Sequence, residues 1–221
     1  AVTTGVQNTL IGGQAGDSLT DADYNTAVGV SALGADTKGN RTVALGFNAL
    51  ASQNFTSPTN SYNVGVGVSA GSNVTTGFQN VLIGGLAGDA LTDADYNVAI
   101  GYQALSGDTL GSRSVALGRI ALLSQNFTSA TNAYNIAVGY GTGAQITTGL
   151  QNTLIGGLAG DAMTDADNNV VVGYSALTTN VLGSESVAIG TFALNAQNPA
   201  SATNMYNVAV GHNSGAAVTT G

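Results

Sequence analysis

Nine of the twelve acidic residues fall in one recurring motif, GDxxTDAD[YN]N: Asp17, Asp21 and Asp23, then Asp89, Asp93 and Asp95, then Asp161, Asp165 and Asp167. Carboxylates set this close repel one another, so their recurrence needs a physical reason. One reason is Ca²⁺, because hard oxygen ligands from Asp and Asn suit that ion. The stretch DADYN opens like an EF-hand loop, but it lacks the glycine at the sixth position and the glutamate at the twelfth, so that motif is rejected. The other reason is local. Asp and Asn close turns through their own backbone, and a charged loop keeps a sparsely charged chain soluble. LTDAD also suits a single helical turn capped by Thr or Asp. The cofactor expectation is therefore none, or Ca²⁺, with the turn and calcium readings both open.

Other candidate chemistry is thin. The single histidine, His212, directly follows a glycine, in a place that related segments fill with Tyr102, Tyr140 and Tyr174. It reads as a tolerated surface substitution. No serine stands in a repeated relation to His and Asp, so a triad has no support. Paired carboxylates of glycosidase type could be drawn from the aspartates. However, three near-identical clusters are unlike an active site, which usually occurs once. The Gly pairs in GQAG and GLAG precede no Lys-Ser/Thr and form no phosphate loop. The sequons at Asn40, Asn54, Asn73 and Asn126 matter only in a eukaryotic secretory setting. With no cysteine in the chain, thiol, disulfide and Cys-metal chemistry is excluded. The expectation is a protein that is not an enzyme.

Composition narrows the class further. Only 7% of the 221 residues are charged, against about 25% in an ordinary soluble domain. The 32 glycines, with much Ala, Asn and Thr, suit a fold of tight turns and small side chains. A hydrophobic content of 43% argues against disorder. The net charge of −8 comes with only four basic residues, Lys38, Arg41, Arg113 and Arg119. No basic stripe exists, which excludes a nucleic-acid partner. No apolar run reaches the length of a membrane span, so no membrane insertion is expected in this segment.

The elements that must position these residues are repeats. TTG begins at Thr3, Thr75, Thr147 and Thr219, an interval of 72 each time. Three 72-residue units result, 3–74, 75–146 and 147–218, in one repetitive segment over 1–221. AVTTG opens the chain at Ala1 and returns at Ala217 to Gly221, which suggests an excerpt of a longer fibre. Within the units, the glycines Gly12, Gly29, Gly46, Gly67, Gly84, Gly101, Gly118, Gly139, Gly156, Gly173, Gly190 and Gly211 are spaced 17, 17, 21 and 17 without slipping. Twelve modules follow.

Aligned on that glycine, the preceding residue is always aliphatic, as in Ile11, Val28, Leu45, Ile100 and Val172. Two before it is usually Ala, and three before it is Thr, Val or Ile. Four before it is Asn, Ser or Thr; three after it is nearly always Ala, and four after it is Leu or Gly. Alternation with period two signals a strand. One face is bulky and the other nearly bare, and a bare Ala/Gly face lets another backbone approach. The leading Asn fits a turn, bonding to nearby backbone. A 17-residue unit has room for about two short strands and two turns, and it cannot bury its own apolar face. Successive coils must therefore stack into an all-β parallel β-roll or β-solenoid. At about 4.8 Å per coil, twelve coils make a rod of roughly 58 Å. The four extra residues of every fourth coil, in SQNFTSPTN and its copies, read as a protruding loop. The aliphatic row and the twelve glycines are the expected structural residues.

NVAIGYQAL (Asn97 to Leu105), SVALGRIAL (Ser114 to Leu122) and SVAIGTFAL (Ser186 to Leu194) resemble the repeats of trimeric autotransporter adhesin heads. They look closer still to the repeat arrays of phage and prophage tail fibres. The resemblance covers essentially the whole chain. It implies a left-handed parallel β-roll, three chains side by side as a homotrimer, and an extracellular place on a virion or cell-surface fibre. Adhesin head repeats are usually shorter than these coils, which favours the tail-fibre likeness.

The sequence thus predicts a structural, shaft-like segment of a homotrimeric fibre used in host attachment. The alternatives are a bacterial surface adhesin and a monomeric extracellular β-solenoid or filament subunit. An ice-binding solenoid ranks low, because Thr three before the glycine occurs only at Thr9, Thr26 and Thr153. Partners are further copies of the chain and a host-surface glycan or protein. Aromatics at Phe55, Tyr62, Phe127 and Tyr134 are the candidate ligand contacts, unless they stack between coils.

Overall fold

The computed structural model describes residues 2–220. Ala1 and Gly221, the outer ends of the recurring AVTTG, lie outside the described residues. The architecture is a parallel β-solenoid of twelve coils, here numbered 1 to 12 in the order of their glycines. Each coil gives one three-residue strand to a single sheet, from Thr9–Ile11 in coil 1 through Val98–Ile100 in coil 6 to Val208–Val210 in coil 12. Every strand pairs in parallel with the coils before and after it. The register is constant: Thr9 lies beside Thr26, and Ile11 beside Val28. The four extra residues in each unit leave that register untouched, with Val43 beside Val64 and Leu45 beside Val66.

The predicted second strand appears only beside the longer coils. Gly39–Asn40 pairs with Thr59–Asn60, Gly111–Ser112 with Thr131–Asn132, and Gly183–Ser184 with Thr203–Asn204. Elsewhere the remaining walls are turns whose N–H groups still reach the adjacent coil, as in Gly16 to the Ala32 carbonyl (3.0 Å) and Thr92 to that of Thr109 (2.9 Å). There is no helix among the described residues; in LTDAD only Thr20 and Asp21 form a bend, after a turn that ends at Ser18. Competition from the neighbouring coil's carbonyls explains this, since they accept the N–H groups that a helical turn would use internally.

Inside and outside also differ from the sequence expectation. The aliphatic row faces out: Ile11 and Val210 are exposed, and Val28, Leu45, Ile100 and Val172 are half-buried. The intervening residue faces in and is buried, as at Ala27, Ala44, Leu82, Ala99, Leu154 and Ala188. The bare face is therefore the interior of the roll and is not open to another chain's backbone. The cause is size. A 17-residue coil closes on a narrow space, and a methyl added at Gly65 would lie 2.7 Å from Leu50 Cγ.

The interior is filled by a trade between positions. Four after the glycine, coils 2 and 3 place Leu33 and Leu50, while coils 1 and 4 have Gly16 and Gly71. Seven after the glycine, coils 1 and 4 bury Leu19 and Val74 instead. Each level of the stack thus receives one or two large side chains, delivered from different corners. Burying them is the main stabilising term.

Candidate functional site

Three columns of residues run along the roll. The first is the module glycine. From Gly12 to Gly211 its φ lies between 127° and 140°, a region that L-residues avoid. Space is equally restrictive: a Cβ on Gly101 would stand 2.5 Å from the Gly118 carbonyl oxygen, and one on Gly29 would stand 2.4 Å from that of Gly46. Gly12, Gly29, Gly46, Gly101 and Gly173 are structural for this reason.

The second column is the buried Asn four residues earlier. Asn97 Nδ2 donates to the Gly111 carbonyl (2.9 Å), and its Oδ1 accepts the Ser114 N–H (2.9 Å). Asn25, Asn63, Asn80, Asn135, Asn152 and Asn169 make the same pair of bonds to the following coil. The expected bond to nearby backbone is thus mostly replaced by one to the next coil, which is in reach because coils repeat at strand spacing.

The aspartates form the third column, one group per 72-residue unit, and bind along it in both directions. Asp21, Asp93 and Asp165 accept the hydroxyls of Thr4, Thr76 and Thr148 (2.8, 2.6 and 2.7 Å). Asp23, Asp95 and Asp167 accept the N–H groups of Val6, Phe78 and Leu150 (2.8, 2.9 and 2.7 Å). Asp89 and Asp161 accept the hydroxyls of Ser106 and Thr178. Asp17 stands in the equivalent place in the first unit. Burial, and after it the neighbouring Asp93 or Asp165, raise the carboxyls of Asp95 and Asp167 above the usual range against the pull of those N–H donors. Among the described residues, no three His, Cys, Asp or Glu side chains converge as a metal site. What the geometry gives these residues is a set of ties to the coils on either side, the last two aspartates of the motif to the coil before and the first to the coil after.

Sequence reasoning overlooked a further set. Asp36 and Asp108 are fully buried, seven residues after their glycines. Asp36 Oδ2 accepts Gln53 Nε2 (2.6 Å), and its Oδ1 accepts the N–H groups of Gly39 (3.0 Å) and Phe55 (3.1 Å). Gln53 Oε1 accepts Asn63 Nδ2 (2.8 Å). Asp108, Gln125, Gly111, Phe127 and Asn135 repeat the arrangement. Burial pushes the Asp36 carboxyl up, against four hydrogen bonds that pull it down.

The candidate ligand contacts divide. Phe55 and Phe127 are 6% exposed, so they are core residues and present nothing to a ligand. Their loop is drawn inward because Asp36 and Asp108 hold its backbone. Tyr62 and Tyr134 are exposed. They belong to an outer column five residues before the glycine that runs Gln7, Tyr24, Arg41, Tyr62 and then Gln79, Tyr96, Arg113, Tyr134. Arg41 lies 4.7 Å from the Tyr24 ring centre and donates from Nε to Asn60 Oδ1 (3.3 Å). Arg113 repeats this on Tyr96 (4.6 Å) and Asn132 (3.0 Å). The third unit has Asn168 and Glu185 there instead.

No family model matches the chain, nor does any curated protein or solved structure.

Proposed function

We propose that the chain is a shaft-like segment of a homotrimeric fibre on a virion or cell surface, nearest in kind to a bacteriophage tail fibre, and that it serves host attachment by holding binding elements at a distance. The outer face of the sheet carries this reading. Twelve strands present two unbroken rows of Thr, Val, Ile and Leu, and neither row contains a charged residue. The stripe is roughly 58 Å long at the usual strand spacing. Exposed apolar surface on that scale marks an interface. Three identical chains turning that stripe toward a common axis bury it on every copy and close the assembly. The extracellular location follows from the same reading, as does the absence of catalysis.

The test is the solution mass by light scattering after size exclusion. A mass near three times 21.7 kDa supports the fibre; a monomer overturns the trimer and favours a lone solenoid. A second reading, direct adhesion to a glycan, draws on the twice-repeated Tyr–Arg–Tyr column, since exposed aromatics beside Arg and Asn suit sugar faces and hydroxyls. Glycan-array binding that disappears on Arg41→Ala with Arg113→Ala supports it, and a blank array removes it.

A further inference from the structure

The outer surface explains assembly, but the buried carboxylates of coils 2 and 6 have no part in it. Their hydrogen bonds have a direction. Asp36 only accepts: from Gln53 Nε2 on one oxygen, and from the Gly39 and Phe55 N–H groups on the other. Gln53 is held in that orientation at its far end, where Oε1 accepts from Asn63 Nδ2. Nε2 also donates to Thr42 Oγ1 (3.0 Å). The third unit differs. Asn180 replaces the aspartate and bonds both ways to Gly183 (Oδ1 to N–H, 3.0 Å; Nδ2 to the carbonyl, 2.7 Å). Its Gln197 bonds instead to Ser186 (3.1 Å).

We infer that Asp36–Gln53 is a proton-operated latch, fastening the longer coil of the first unit to the coil before it, and that the third unit carries a latch that no proton can open. A proton on Oδ2 turns an acceptor into a donor facing the Gln53 NH₂ group, which is also a donor. If Gln53 turns over to accept it, Nε2 then faces Asn63 Nδ2, again donor against donor. One contact is lost either way. The segment released is 53–58, whose start is pinned by Gln53 and by the Phe55 N–H. Asn63 keeps its bond to the Gly77 carbonyl, so the ladder beneath stays closed.

The groups facing Asp36 are Gln53 and the N–H groups of Thr37, Gly39 and Phe55, all neutral. Burial therefore dominates and raises this carboxyl. The folded chain then takes the proton more readily than the unfolded one, and the latch opens without global unfolding.

Hydrogen exchange of the intact chain at pH 7 and pH 5, corrected for intrinsic rates, tests this, with thermal melts at both values. The expected result is exchange about fivefold to tenfold faster at pH 5 for the Gly39 and Phe55 amides, the effect of losing one anchoring bond. The Gly183 amide should be unchanged. Asp36→Asn should abolish the response and still fold, since Asn180 serves in the third unit. The latch is overturned if Gly39 and Gly183 respond alike, or if the Asp36→Asn variant keeps the response.

Discussion

At the scale of single residues, the roll depends on left-handed backbone, and it tolerates side chains there unevenly. Every coil turns through such conformations at the module glycine and at three further fixed places, two and four residues after it and five before it, but only the module position excludes a Cβ. At Gly101, φ is 137° and the Gly118 carbonyl is 2.5 Å from where a Cβ would be. Gly101→Val is expected to cost at least about 3 kcal/mol from strain and overlap together. Gly211 has a φ of 127° but meets nothing nearer than Ser214 Cβ at 3.9 Å. Gly211→Val should therefore lower the melting temperature less, and equal losses would refute close stacking as the cause. The reverse case is Ile120, a β-branched residue held at φ 54°. Asn48 and Asn213 occupy the same place in other coils, each at φ 56°, and Asn tolerates this region. Ile120→Asn should stabilise the chain by about 1 kcal/mol, read as a higher melting temperature.

At the scale of the coil, cohesion comes from side chains that act as extra backbone rungs. Asn97 bridges coils 6 and 7 by satisfying one carbonyl and one N–H, both buried. Asn97→Ala leaves both without that partner and should cost about 2 to 3 kcal/mol; a change below half of this in chemical denaturation would mean that water replaces the amide. The coil itself was legible in the sequence, because each glycine marks the point where two backbones nearly touch. The inward face was not, because period-two alternation reads the same from either side, and the usual rule of large residues inside fails in so narrow a roll. The aspartate motif was legible as a turn, but its bonds run 17 residues back or forward, a separation that local turn rules do not consider. The latch was visible only column by column: Asp36, Gln53, Asp108, Gln125, Asn180 and Gln197 stand where the flanking coils place Leu19, Val74, Leu91, Ile146, Met163 and Val218. Read along the chain, Asp36 is one stray acid.

At the scale of the whole molecule, the repeat makes stability a sum over neighbours, with two measurable consequences. The first concerns acid. Asp36, Asp95 and Asp167 are all raised, with burial the leading cause. Groups raised by folding bind protons more tightly in the folded chain, so the stability they give is present at low pH and is lost as pH rises through their raised values. Melting at pH 5 should therefore occur at or above the temperature found at pH 7.5, and a marked fall over that window would contradict these shifts. The second concerns length. Coil 4 meets coil 5 with Val64, Gly65 and Val66 beside Val81, Leu82 and Ile83, and coil 8 meets coil 9 with Ile136, Ala137 and Val138 beside Thr153, Leu154 and Ile155. Both junctions set a small inward residue against Leu, in one register. Removing residues 75–146 brings coil 4 onto coil 9 with the same match of Gly65 to Leu154, and no wall has to change course. The shortened chain should keep its β circular-dichroism spectrum and lose about 19 Å of rod length in small-angle scattering, four coils at strand spacing. If it unfolded instead, the middle unit would have to supply something that its neighbours lack, and the nearest-neighbour account of the roll would fail.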